Sequence, residues 1–487
     1  MIGAARRSPA ARIVWWLGVA GVLVLTARAG LTVLREPCLG VADNRDWWRV
    51  AEPAGIDVAP DLPKGFYVVC RHPVSEAEPL GSLSSAALVA WGARAGAGGP
   101  GDLVDLRWIG LIYWLATATV LIAALLAGLD APLLLAIAWV VYDPGFLLFF
   151  NSLYADPALI VGLAAALILL LLDPLRGPED PRRGRRDAWA VAALVVAAAL
   201  GGFSKMQYSP FPAVLLTCCA LAMAAARSRP QRRHRLLLGG LLAVAVLAPL
   251  HFLYGPAPRF LDANNFNAVF GGIVRVATDP AAAARALGLP PEEVARQPRD
   301  YFAARRRQVL APVLPALRSL SRVRLATLYL GDPGAMARTA AAIHAHLAKL
   351  RTHPRGNYTR EESGPGPRFH RSPEQFSLWR TRLLGGVPVW SHLLLAATTL
   401  LLGWRAARRR WRAIDTGSLL LVLWSASQFA VAVLGEGFVN LHQHLVGARL
   451  GVDLLVALTA VRLVSWSARA LATRRGAGPA GPVPAPS

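Results

Sequence analysis

The chain has 487 residues, 55% of them hydrophobic, a positive mean hydropathy, and several apolar runs near the roughly 20 residues that one bilayer crossing needs, which excludes a soluble globular protein. A formal net charge of +23 would suggest nucleic acid in a soluble chain, but much of it lies in short clusters between apolar runs, where it orients a membrane protein and calls for no nucleic acid. Only Lys64, Lys205 and Lys349 are lysines, so arginine makes up the other 49 of the 52 basic residues, and a lone arginine carries little information.

In chain order, apolar runs near 13–34, 107–127, 132–150, 157–172, 189–203, 208–226, 236–253, 387–404, 416–434 and 445–466 predict an all-α polytopic membrane protein with about ten transmembrane helices. Arg6, Arg7 and Arg12 precede the first run, which places Met1 in the cytoplasm. That run is too long, and lacks the small-residue cleavage site, for a signal peptide, so it is expected to remain as an anchor. Arginine clusters after the fourth, sixth and eighth runs (Arg176 to Arg186, Arg227 to Arg235, Arg405 to Arg412) then all fall on the cytoplasmic side, while the short outer connections hold one basic residue, Lys205.

The chain divides accordingly. Residues 1–34 are the cytoplasmic N-terminus and first span, 35–106 a first extracytoplasmic loop, and 107–253 spans two to seven. Residues 254–386 form a large extracytoplasmic helical segment, 387–466 spans eight to ten, and 467–487 a disordered cytoplasmic tail. The first loop carries Ala42-Asp43-Asn44-Arg45-Asp46-Trp47-Trp48-Arg49 and a short amphipathic helix around Ser84 to Ala95. Asp43 and Asp46 are three apart, so a helical turn would put both on one face beside Trp47 and Trp48, residue types suited to a membrane interface. One carboxylate could then serve as base while the other orients substrate or a metal; a solvated acidic loop is the alternative. Cys38 and Cys70 share this loop, where an oxidising compartment allows a disulfide, and the sequence leaves their pairing open.

In the second large segment, Asp279-Pro280 and Asp332-Pro333 read as helix starts, the latter helix placing Met336, Ile343, Leu347 and Leu350 on one face. Between Tyr254 and Pro388 there are 20 basic and 9 acidic residues, a surplus suited to phosphate or anionic headgroups if it is more than arginine bias. Asn357-Tyr358-Thr359 is a formal glycosylation sequon. Asp143 falls within span three, and Arg449 and Asp453 lie one turn apart within span ten, where charges face a bundle interior and pair. His442 and His444 are two apart, a poor spacing for a helical metal site.

The acidic run, Asp105-Leu106-Arg107, Asn151-Ser152-Leu153-Tyr154-Ala155-Asp156-Pro157, Ser204-Lys205-Met206-Gln207, Asn264-Asn265-Phe266-Asn267 and the Glu436 to His444 segment together resemble the WsfD-type glycan hexosyltransferases, within the GT-C class of polytopic glycosyltransferases. The resemblance implies a polyprenyl-phosphate-sugar donor, a glycan or glycolipid acceptor, and an active site facing outward from the plasma membrane. It points to Asp43 and Asp46 as catalytic candidates. Lys205, His442, His444 and Arg449 are expected at the donor phosphate; Asn44, Arg49, Asn151, Tyr154, Asp156, Gln207, Asn264, Asn267 and Glu436 are expected to contact substrate or support the site. The chain departs from the family pattern at Asp156, where Glu is expected, and at Arg45, where Gly is expected. No cofactor is assigned, and a divalent metal is left open. A transporter or flippase of a lipid-linked glycan is the competing reading; it would need polar groups at mid-membrane and on the cytoplasmic side.

Overall fold

The computed structural model describes residues 9–43, 46–58, 65–76, 84–172, 181–226, 232–254, 258–349, 355–373, 375–387, 389–408 and 410–476. Asn44 and Arg45 of the acidic run, Leu350, Arg176, Arg227 and Arg229, and the tail beyond Gly476 lie outside them.

The chain is an all-α polytopic membrane protein. Its first half contains α1 (Pro9–Val33), α2 (Trp48–Ala54), α3 (Ser85–Ala95), α4 (Leu106–Leu126), α5 (Ala131–Val141), α6 (Pro144–Leu147), α7 (Asp156–Leu171), α8 (Pro181–Gly202), α9 (Phe211–Ala226) and α10 (Arg232–Tyr254). Two short strands, β1 (Arg71–Pro73) and β2 (Leu103–Asp105), pair antiparallel within the first loop. Among the described residues, six helices are long and apolar enough to cross a membrane, and three shorter apolar helices accompany them, α5, α7 and the Trp189–Gly202 part of α8.

The centre of the bundle is α7, which packs against α4, α8 and α22 (Ala413–Glu436). Its sequence is apolar all round after the first turn, and every residue but Leu169 is buried, as expected of a helix with no solvent or lipid face. A Cβ on Gly162 would lie 2.8 Å from the Ala197 carbonyl oxygen and 3.0 Å from the Gly201 nitrogen, so glycine is what lets α7 and α8 approach this closely.

The second large segment is built from short helices: α11 (Pro258–Ala268), α12 (Val274–Val276), α13 (Pro280–Ala286), α14 (Glu293–Arg296), α15 (Tyr301–Arg306), α16 (Leu314–Arg318), α17 (Arg322–Gly331), α18 (Pro333–Leu347), α19 (Arg360–Ser363) and α20 (Phe376–Leu384). Asp279 and Asp332 cap α13 and α18 by accepting the Ala282 and Ala335 amides at 2.9 and 2.8 Å. The buried face of α18 is Ala335, Thr339, Ile343 and Leu347; Met336, expected on that face, is 45% exposed. Phe266, Phe270, Ile273, Leu325 and Ile343 form a core that continues onto the ends of α22 and α24 (Val446–Gly476), so this segment is seated on the bundle. The chain closes with α21 (Trp390–Ala407), α22, the short α23 (Leu441–His444) and α24.

Two expectations change here. Span three does not run through Asp143: α5 stops at Val141, and Asp143, before Pro144, caps α6 by accepting the Gly145 amide at 2.7 Å. Asp143 also accepts the Ser377 amide at 2.8 Å, which ties the start of α20 to the bundle. Trp47 is fully buried, set edge-on to His72 and Tyr154, instead of lying at an interface; Trp48 is half-buried. The short helix expected around Ser84 to Ala95 is present as α3, with Ala86, Ala87, Ala90 and Ala93 buried and Leu88 and Trp91 about half exposed.

Candidate active site

The acidic loop is shaped from both sides. Cys38 and Cys70 are disulfide-bonded, with Cα atoms 5.9 Å apart. The stretch 355–358 of the second segment threads into the first loop. Gly40 and Ala42 donate to the Asn357 and Gly356 carbonyls at 3.2 and 3.1 Å, Gly356 donates to Gly65 O at 3.0 Å, and Val68 donates to Tyr358 O at 3.0 Å. A Cβ on Gly356 would run into the Phe66 carbonyl, so only glycine passes here. Asn357 is 5% exposed and donates to Gly40 O at 2.8 Å, which uses the sequon asparagine as an internal strut.

Asp43 and Asp46 do not share a helical face, because α2 begins only at Trp48. Asp43 Oδ1 accepts the backbone amides of Asp46 and Trp47 at 3.1 and 3.2 Å, so Asp43 folds the turn that presents Asp46. Asp46 takes a hydrogen bond from Gln443 Nε2 at 2.9 Å and faces Arg49 at 3.5 Å. Burial opposes its ionisation, but the positive field of Arg49, Lys205 and Arg355, with the Gln443 bond, outweighs it and holds the carboxyl at about 2.

Around Asp46 the chain brings together groups from four distant stretches. Tyr154 donates to Ala42 O at 2.9 Å and accepts from Arg355 at 2.7 Å. His444 places one ring nitrogen 2.9 Å from Glu436 Oε2 and the other 3.0 Å from Gln207 Oε1, which links the end of α22 to the turn that carries Lys205. The Lys205 ammonium lies over the Tyr208 ring at 5.8 Å and adds to the positive field at both Asp46 and Glu436. His442 is half-buried; desolvation, then the charges of Arg355 and its histidine and lysine neighbours, push it down to about 3, so it is neutral at physiological pH.

Other expected site residues are framework. Asn151 donates to Val33 O and Leu39 O at 2.7 and 2.8 Å, fixing where α1 meets the first loop. Asp156 accepts the Tyr208 hydroxyl. Asn267 accepts the Tyr301 amide at 2.9 Å, and Asn264 is half-buried on α11. Arg449 departs from its expected place at a donor phosphate. It is 3% exposed and faces Asp453 at 3.5 Å, while Arg380 of α20 reaches the same carboxylate at 2.8 Å. Burial of a carboxylate favours such pairing, and here it commits Arg449 to a different cluster. Among the described residues, no three His, Cys, Asp or Glu side chains are grouped so as to hold a metal ion.

Arg355 and Gln443 were not singled out by sequence reasoning. Gln443 lies between two histidines that were, and Arg355 precedes the glycine that the close passage demands; both signals depend on knowing that the loops meet.

A comparison with solved structures finds a similar one in the archaeal oligosaccharyltransferase AglB from Archaeoglobus fulgidus, in complex with an inhibitory peptide and a dolichol-phosphate. The similarity has a TM-score of 0.39 at 13% identity and covers 97% of this chain and 52% of that one, so this chain spans about half the length of that protein. No curated protein matches. A family model for the YfdI N-terminal transmembrane domain matches residues 11–478, nearly the whole sequence, and the chain therefore belongs to that family.

Proposed function

We propose that this protein is a GT-C-type membrane glycosyltransferase, of the WsfD kind that its motifs resemble, moving a hexose from a polyprenyl-phosphate donor to an extracytoplasmic glycan or lipid-linked glycan at the outer face of the plasma membrane. The observation that carries the reading is the ionised Asp46 carboxylate set among Arg49, Lys205 and Arg355, with Gln443 holding it in place. A transfer of this kind needs a base for the acceptor hydroxyl and cations for the departing phosphate, and both are gathered where two loops meet above the bundle.

The proposed step is a single displacement. Asp46 takes the acceptor hydroxyl proton as that oxygen bonds to the anomeric carbon. The bond from the anomeric carbon to the phosphate oxygen breaks, and the polyprenyl phosphate leaves with the electron pair, its charge met by Lys205 and Arg49. A carboxylate held at about 2 is a weak base. A donor phosphate beside Lys205, Arg49 and Arg355 would offset the field that holds it there, so Asp46 gains basicity when donor is bound. Asp43 is a positioning residue in this scheme, and the Glu436–His444–Gln207 chain fixes the turn that carries Lys205. The division into outer segments and spans given above is part of the proposal, because it puts these groups on the outer side.

The test is turnover of a panel of polyprenyl-phosphate hexoses by purified protein supplied with an extracted glycolipid acceptor. Consumption of at least one donor with release of polyprenyl phosphate is expected; no turnover across the panel, with acceptor present, would defeat the reading.

A further inference from the structure

A groove between α1 and α5 shares no lining residue with the surroundings of Asp46. The two helices run side by side in the same direction, with Gly18 against Ala131 and Gly21 against Leu135. Leu25, Arg28 and Thr32 follow at i, i+3 and i+7 on one face of α1, and Trp139 and Leu147 line the groove across from them. Where α5 ends, the stretch 370–375 crosses over and contributes His370 and Ser372. The groove is therefore apolar toward the middle of α1 and polar toward its C-terminal end.

Arg28 makes this more than a seam between helices. It stands five residues before the end of α1, about 7.5 Å along the axis, on a helix long and apolar enough to cross a membrane, and it is exposed. Its guanidinium donates to Ser372 Oγ at 3.0 Å, which holds it at the polar end of the groove. Arg35 supplies a second charge nearby: it donates to Glu362 Oε1 at 2.7 Å and lies over the Tyr358 ring at 5.6 Å, and the Tyr358 hydroxyl sits 3.0 Å from His370 Nδ1. Desolvation, then the charges of Arg35 and Arg28, push His370 below the usual imidazole value, so that ring is neutral at physiological pH and the field around it is positive. The acidic groups at hand are engaged, Asp143 with the Gly145 and Ser377 amides and Glu362 with Arg35.

We infer that this groove seats an anionic phospholipid from the leaflet that meets the C-terminal end of α1, its phosphate at Arg28 and an acyl chain along Leu25 and Trp139. Charge and shape select that occupant. Basic pockets between membrane helices draw anionic headgroups; a zwitterionic headgroup brings its own cation toward the arginines, and a soluble phosphate has nothing to lay against the apolar wall. The groove also joins the candidate active site through the backbone. His370 donates its amide to Asn357 Oδ1 at 3.1 Å, and Asn357 donates to Gly40 O at 2.8 Å, so the polar wall continues into the stretch that threads the first loop. A lipid bound here braces that stretch without touching Asp46. The inference does not depend on the proposed transfer.

The experiment is native mass spectrometry of the full-length protein in detergent, titrated with phosphatidylglycerol, phosphatidylcholine and undecaprenyl phosphate and read as the fraction carrying one lipid. Arg28→Gln keeps a donor for Ser372 and removes the charge, and Arg28→Lys keeps the charge; equal melting temperatures without added lipid check that both fold. Wild type is expected to bind phosphatidylglycerol about tenfold more tightly than phosphatidylcholine, the worth of one charge-assisted contact. Arg28→Gln should lose that preference with phosphatidylcholine unchanged, and Arg28→Lys should keep it within about threefold. Equal binding of the two phospholipids by wild type, or an undiminished preference in Arg28→Gln, would overturn the site. Displacement of phosphatidylglycerol by glycerol 3-phosphate would reduce it to a site for free phosphate. Undecaprenyl phosphate that displaces phosphatidylglycerol one for one, and weakens equally in Arg28→Gln, would assign the groove to the polyprenyl lipid and overturn the phospholipid. None of these readouts involves turnover, so the proposed transfer stands or falls separately.

Discussion

Replacing Asp46 by asparagine keeps the size of the side chain and an oxygen for Gln443 but removes the charge that Arg49, Lys205 and Arg355 surround. The carboxyl falls from 3.8 to about 2 in the folded protein, and at 1.36 kcal/mol per pKa unit the ionised form is favoured by about 2 kcal/mol over its state in water. That is a modest share of the stability of a chain this long, so abundance in the membrane should hardly change. Catalysis should suffer far more. Without a base for the acceptor hydroxyl, kcat is expected to drop on the order of 10² to 10⁴. The three cations lose a competitor for the donor phosphate, so KM for the donor should stay level or fall. The assay is initial-rate turnover of a polyprenyl-phosphate hexose by purified wild-type and variant protein, with kcat and KM separated. A variant that keeps kcat within about threefold, or loses activity only through a higher KM, would remove Asp46 as the base.

Asp43 acts through the backbone, so Asp43→Asn should retain activity within about tenfold, whereas Asp43→Ala should cost about 1 kcal/mol and lower the melting temperature; equal loss in both would contradict a capping role. Because the Asp46 value is lowered on folding, its stabilisation is present above about pH 3.8 and is lost as pH falls toward 2. The melting-temperature difference between wild type and Asp46→Asn should persist at pH 5, and a difference already gone there would be inconsistent with the field described. Arg380→Met leaves Asp453 short of its nearer partner and should destabilise by about 3 to 5 kcal/mol, seen as loss of folded protein on detergent extraction; unchanged yield would mean that Arg449 alone suffices. With Cys218 and Cys219 replaced, a single cysteine at Gly364 should react with an impermeant thiol reagent in intact cells and one at Ala407 should not; labelling at Ala407 would reverse the orientation.

The helical bundle was legible because ruler-length apolar runs are local signals: among the described residues six helices long and apolar enough to cross a membrane, and three shorter apolar ones, stand where runs lie. The break after Val141 was visible as Asp143-Pro144-Gly145 but was hidden by the apolar residues that continue on both sides, which are buried in protein and not in lipid. Asp46, Lys205, Gln207, Glu436, His442 and His444 lie in one neighbourhood, linked by the Gln207–His444–Glu436 contacts and the Gln443 bond to Asp46. Arg449 does not, because its fate depends on Arg380, 69 positions earlier in the sequence and on a short helix, α20, that no periodicity ties to α24. The same holds for Arg355: nothing near it in the sequence reveals that Gly356 and Asn357 will bond the backbone of Gly40 and Ala42.

The central claim is that Asp46 and its cations perform sugar transfer and not translocation. The most direct measurement uses proteoliposomes loaded with a polyprenyl-phosphate hexose carrying a labelled sugar, together with a glycolipid acceptor, and follows the label. Appearance of labelled acceptor with equimolar free polyprenyl phosphate, abolished in Asp46→Asn, is the predicted result; label that crosses the bilayer still attached to its polyprenyl phosphate, at a rate independent of acceptor, would contradict it.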